Sequence, residues 1–207
     1  MPQITKQQLA SLEKVARKSA ERASEALSKL IGIPTRLEIT RARVVEIEHL
    51  ADILATPQES VSAVLLPVSG NNKMGASALI SSIKETRRLA ELVTKQPNKS
   101  LTKLDNLAIS AITETANIIG GSFLSILSDI TGISIIQSVP SLLTDTMQKI
   151  VDAMVIKLHK EDSKFSIALE IDFSLSVTTT TTTEAIITYY VFILDTLFAQ
   201  KLLETLK

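Results

Sequence analysis

The sequence predicts an α+β protein: one mainly antiparallel sheet built from two pseudo-symmetric halves, with two long helices packed on it. Three observations carry this. Two segments, Thr5–Ile31 and Leu104–Thr131, place apolar residues three and four apart, and both run into a Gly-Ile step. A shift of 100 residues brings Leu9 onto Ile109, Leu12 onto Ile112, Ala16 onto Ala116, Leu27-Ser28 onto Leu127-Ser128 and Gly32-Ile33 onto Gly132-Ile133. After each long helix the pattern gives strand, strand, hairpin strand and helix, with an extra helix expected in the second half. The chain thus reads as a single domain over residues 1–207, made of repeats at approximately 1–97 and 101–207.

The elements follow in order. In the first helix Leu9, Leu12, Ala16, Ala20, Ala23, Leu27 and Leu30 form one stripe, and Gly32 and Pro34 end it. Leu37–Ile47 alternates and reads as strand, as does Ser60–Val68. Ser69-Gly70-Asn71-Asn72 is a turn, not a phosphate loop, because it lacks the Gly-Lys-Ser/Thr pattern. Lys73–Ile80 is its hairpin partner, Ser82–Lys95 an amphipathic helix, and Gln96–Ser100 a linker. In the second half a helix over Leu104–Thr131 leads to a strand over Ile133–Val139. Pro140 fits the first turn of a helix over Ser141–Leu158, with Ser138 as a cap. Lys160–Ser163 is a loop. Phe165–Val177 and Glu184–Ile193 are strands joined by a bend in the six-Thr run Thr178–Thr183, and Leu194–Leu206 is a closing helix.

Composition excludes several function classes. The 207 residues carry 22 Lys+Arg against 22 Asp+Glu, which argues against electrostatic capture of nucleic acid or of an anionic membrane. No Cys is present, so thiol nucleophiles, disulfide scaffolds and Cys-based metal sites are absent. The only histidines are His49, expected in a surface loop, and His159, expected at a helix end, so no metal site of its own is expected. Aromatic content is 3% with no Trp, which leaves little for base stacking. The polar N-terminus MPQITKQQLA is unlike a signal peptide, and no run of 18 apolar residues occurs, so a cytoplasmic protein is expected.

Candidate chemistry sits on the second long helix. Ile109, Ile112, Ala116, Ile119, Phe123, Ile126, Leu127 and Ile130 fall on one arc. Ser110, Glu114, Asn117 and Gly121 fall in a band opposite. Glu114 is the only charged residue between Asp105 and Asp129. A carboxylate and a carboxamide three residues apart are neighbours on a helix surface. The amide can orient a water towards an electrophile, the carboxylate can anchor a partner's cation, and Gly121 removes bulk from the approach. An ordinary solvated Glu/Asn pair has the same spacing.

The spacing Ser110, Glu114, Asn117, Pro140, together with Ile118-Ile119-Gly120-Gly121-Ser122-Phe123-Leu124 and Gly132, resembles the CheC family of chemotaxis phosphatases (CheC, CheX and FliY types). Its motif is Asp or Ser, three residues, Glu, two residues, Asn, twenty-two residues, Pro. The resemblance implies a CheC-like fold. It also implies hydrolysis of the aspartyl phosphate on the response regulator CheY, with Asn117 positioning the attacking water and Glu114 engaging the regulator's lysine. Ser110, Pro140 and Gly121 would support the site. The Mg²⁺ would belong to phosphorylated CheY, leaving the phosphatase without a cofactor of its own. A partnership with the deamidase CheD is also implied, and the alternative to catalysis is a binding module that sequesters CheD or phosphorylated CheY, with Lys160–Ser163 and the helix over 141–158 as contacts by family analogy. A third role, in the flagellar switch, is usual for relatives carrying an appended domain.

The first half departs from the motif. The shift of 100 puts Ala10, Lys14, Arg17 and Thr40 at the Ser, Glu, Asn and Pro positions. Lys14 would meet the regulator's lysine with like charge, and a guanidinium has no acceptor for a water proton. Lys18, Glu21 and Arg22 add bulk. One intact site, in the second half, is expected, and the oligomeric state is open.

Overall fold

A computed structural model describes residues 5–54, 57–70, 73–96, 104–156, 167–178, 183–194 and 196–205. The first half runs α1 (Lys6–Ile31), β1 (Thr35–Glu46), α2 (Ile47–Leu54), β2 (Ser60–Gly70), β3 (Lys73–Ser82) and α3 (Ile83–Thr94). The second runs α4 (Asn106–Thr131), β4 (Ile136–Gln137), β5 (Ser141–Thr146), α5 (Met147–Ile156), β6 (Ile167–Thr178), β7 (Thr183–Leu194) and α6 (Thr196–Thr205). Residues 71–72 of the expected turn, the linker after Gln96, His159, Lys160–Ser163 and the middle of the Thr run lie outside the described residues.

Both long helices have the same punctuation. Thr5 caps α1 by accepting from Gln8 N, and Asp105 caps α4 by accepting from Ala108 N. Gly32 and Gly132 end them in the left-handed region, at φ 71° and 65°, where a Cβ is strained.

All seven strands join one antiparallel sheet in the order β1-β6-β7-β3-β2, with β4 and β5 both on the outer side of β2. The halves exchange their first strands. β1 pairs with β6 of the second half, while β5 pairs with β2 of the first, and β3 pairs with β7 at the centre. Sheet residues alternate between two cores. Val64, Leu66, Val68, Leu79, Tyr190 and Phe192 pack under α1, α3 and α4, and Val61, Ala63, Leu65, Ile80, Val191 and Ile193 pack under α2 and α5. The fold is therefore α+β with a mainly antiparallel sheet, helices covering both faces.

Four expectations need correction. The extra helix of the second half is not extra: α2 and α5 occupy the same place in each repeat. His49 accordingly lies on α2, not in a loop. Pro140 does not start a helix. It precedes β5, and the helix begins only at Met147. The reason is the open edge of β2, where residues 60–65 pair with residues 141–146 and Met147 N donates to Glu59 O. The expected strand over 133–139 shrinks to Ile136–Gln137, because the ladder breaks before Pro140, which has no N–H to donate. Between the pairs Val68↔Gln137 and Leu65↔Ser141 the second half carries one residue more than β2, a β-bulge. In β1 the same break falls between Ile39 and Arg41, at Thr40, the position equivalent to Pro140.

Candidate functional site

The site is built on α4. Its buried face holds Ile112, Ala116, Ile119, Phe123, Leu124 and Leu127. Phe123 fixes the helix on the sheet through ring contacts with Tyr190, 5.2 Å between centroids, and Phe192, 5.9 Å and edge-on. Burial pushes the Tyr190 hydroxyl to a higher pKa, partly opposed by its hydrogen bond with Ser77, so the core under the site stays uncharged. The buried arc is turned slightly from the expected one. Ala108 and Ala111 are inside, Ile109 and Ile126 are half-buried, and Ile130 is exposed.

With that face anchored, Ser110, Glu114 and Asn117 are exposed and Gly121 is half-buried. A Cβ at Gly121 would meet nothing within 4 Å, so the space above it is open. Among the described residues Glu114 makes no hydrogen bond or ion pair, leaving its carboxylate available to a partner. Asn117 is held: its Oδ1 accepts a hydrogen bond from Gln137 Nε2 at 2.5 Å. Gln137 pairs with Val68, a residue of the core under α4, so its side chain leaves the sheet on that helix's side. Pro140 is half-buried at the bulge three residues further on. Ser110, Glu114 and Asn117 thus share one face, while Pro140 lies in the bulge that follows Gln137.

Gln137 is not in the sequence reading, and Gly120 enters it only as part of the resembling string. Gly120 leaves the room in which the end of the Gln137 side chain sits: a Cβ there would lie 2.6 Å from Gln137 Oε1 and 3.3 Å from Leu66 Cδ1. The signal for Gln137 was a lone amide in the apolar run Ile133–Val139.

On α1 the equivalent residues Ala10, Lys14 and Arg17 are also exposed, and Arg17 borders an open groove with Glu21, Glu25, Arg36 and Glu38. Nothing can be said of the Thr40 side chain, which lies outside the described ones. Arg22 does not stand over this face: its guanidinium donates to Ser125 of α4 and ties the two long helices together. Among the described residues only α4 is long and apolar enough to cross a membrane, with a mean hydropathy of 1.3 over its best window, and half of that window is buried in the fold.

The CheC-like family model matches residues 107–143, the segment from α4 through β5. The chain is 22% identical over 159 residues to the CheY-P phosphatase CheC of Bacillus subtilis, covering 76% of each. Its fold is similar to that of Thermotoga maritima FliY, with a TM-score of 0.73 and 16% identity over 100% of this chain and 98% of that one. A chain of the CheX–CheY–BeF3–Mg²⁺ complex from Borrelia burgdorferi is similar with a TM-score of 0.50 and 16% identity, covering 85% of this chain and 95% of that one. Motif and matched segment agree in their likeness to the CheC-like family, and the whole-chain fold is that of the FliY structure.

Proposed function

We propose that this chain accelerates hydrolysis of the aspartyl phosphate of a CheY-type response regulator of chemotaxis through one site, Glu114 and Asn117 on α4. The observation that carries the proposal is the pairing of a carboxylate without a partner among the described residues with a hydrogen-bonded carboxamide on one exposed face, inside the segment that matches the family. The activity printed for the Bacillus subtilis relative and the CheY partner in the Borrelia burgdorferi complex support it.

In this mechanism Glu114 binds a lysine ammonium of the regulator and so sets α4 over the phosphoryl group. Asn117 Oδ1 keeps a second lone pair beyond the one Gln137 uses, and it accepts a proton of the attacking water in a hydrogen bond. The water oxygen bonds to phosphorus as the bond to the aspartyl oxygen breaks, giving inorganic phosphate and a free carboxylate. An amide is too weak a base to take the water's proton, so its contribution is placement. Mg²⁺ arrives with the regulator and neutralises the phosphoryl charge. A cytoplasmic location, shared with such a substrate, goes with this reading.

The test is decay of phosphorylated CheY with Mg²⁺ present, for wild type and Asn117→Ala. Acceleration by wild type and its loss in the variant are expected. Capture of CheY or CheD that survives Asn117→Ala, with no acceleration by wild type, would instead mark a binding module.

A further inference from the structure

We propose that Gln137 is a positioning residue for Asn117. This deepens the phosphatase reading and rests on it. The Gln137 side chain makes one hydrogen bond among the described residues, from Nε2 to Asn117 Oδ1. Its own Oε1 is buried without a hydrogen-bond partner, in the slot that Gly120 leaves open beside Leu66 and Tyr190. A buried amide oxygen without a partner is unfavourable, and an apolar side chain of similar size would fill the slot without that penalty. What Gln137 alone supplies is a donor at Asn117 Oδ1. That donor fixes which end of the carboxamide is which: the oxygen faces Gln137 with one lone pair still free, and the amide N–H groups lie on the other side.

The first repeat is an internal control. At the positions equivalent to Gly120 and Gln137 it has Ala20 and Leu37, each 4% exposed, bordering the groove beside Arg17. Where the amide is replaced by arginine, the glycine slot is filled by a methyl group and the glutamine by leucine. The pair Gly120–Gln137 thus accompanies Asn117, and the fold itself does not need it, because the same sheet-and-helix contact closes with Ala and Leu.

The experiment compares Gln137→Leu, the double variant Gly120→Ala/Gln137→Leu and Asn117→Ala. The double variant reproduces the first repeat's packing and guards against a trivial loss of folding. Two readouts are taken: the order parameter of the Asn117 side-chain amide by NMR, and steady-state kinetics with phosphorylated CheY. Both Gln137 variants are expected to fold, to lower the order parameter of the Asn117 side-chain amide below its wild-type value, and to lower kcat about ten- to a hundredfold with KM within about twofold. An Asn117 amide as ordered in Gln137→Leu as in wild type would overturn the inference whatever the activity. So would a wild-type kcat in the Gln137 variants while Asn117→Ala is inactive. If Asn117→Ala itself keeps the wild-type rate, the phosphatase reading fails and the positioning role fails with it. The amide order distinguishes that case, because it reports the hydrogen bond without any substrate.

Discussion

In the proposed mechanism Glu114 and Asn117 have separable jobs, and their substitutions should separate in kinetics. Asn117→Ala removes placement of the water and should lower kcat about a hundredfold, with CheY binding kept. Glu114→Gln removes one exposed charge contact, worth about 0.2–1 kcal/mol, and should raise KM up to about fivefold with kcat nearly unchanged. Titration of binding by fluorescence alongside phosphate release checks both. A change in kcat alone for Glu114→Gln would contradict its anchoring role. On α1, Lys14→Glu with Arg17→Asn restores the acid and the amide, in an Asn117→Ala background. Regulator binding at α1 is expected, with at most weak hydrolysis, because Ala20 and Leu37 offer no slot and no donor for the new amide. Adding Ala20→Gly and Leu37→Gln should raise hydrolysis further, and full activity from the first two substitutions alone would show that the slot is irrelevant. That Ser110, Glu114 and Asn117 share one exposed face was legible because their spacing is periodic in a helix, whereas the place of Pro140 in a bulge was not. Gln137 was not, because its importance comes from a contact across 20 residues that no local pattern encodes.

At the scale of elements, the two long helices, the hairpin strands and the closing helix follow from pattern and caps. The misread segment was 141–156, where Leu142, Leu143, Met147, Ile150, Val151 and Met154 mimic helical spacing throughout. The competing pull is the edge of β2, which claims residues 141–146 and leaves the helix to start at Met147. The repeat held the correction, since a shift of 100 maps the strand after α1 onto this segment. The short helix α2 was also visible, with Ile47, Leu50, Ala51 and Leu54 on one face. The start of α5 gives a pH prediction. The Asp145 carboxyl is held below its ordinary pKa of 3.8, first because it accepts from the backbone N–H of Thr146, and then through Lys149 at 3.0 Å. A depressed acid stabilises the folded state above its unfolded value and loses that contribution as pH falls through the folded one. Asp145→Asn should therefore lower Tm at pH 7, and the gap to wild type should close as pH drops below about 3.8. A gap that stays constant down to pH 2, about two units lower, would show that the charge is not involved.

For the whole molecule, the sheet order was not readable from sequence. Periodicity identifies strands but not which hairpin each first strand joins. The exchange of β1 and β5 means that neither half contains a finished sheet. Fragments ending at Gln96 and starting at Leu104 should each lack a cooperative unfolding transition. Mixed in equal amounts they should regain one, together with phosphatase activity, as followed by circular dichroism and phosphate release. Independent folding of the second fragment with full activity would contradict this. Folding of the intact chain should also be slow for its size, since β1 finds β6 across more than a hundred residues.

The same exchange has a bearing on symmetry. Two identical copies of one repeat, each lending its first strand to the other, would close an equivalent sheet about a true two-fold axis. In such a pair every surface residue occurs twice, so any change at one face is imposed on the other. Carrying both repeats on one chain removes that constraint while the strands still cross over. One face can then keep Glu114 and Asn117 while the other has Lys14 and Arg17, and the stoichiometry of sites becomes a property that substitution can tune.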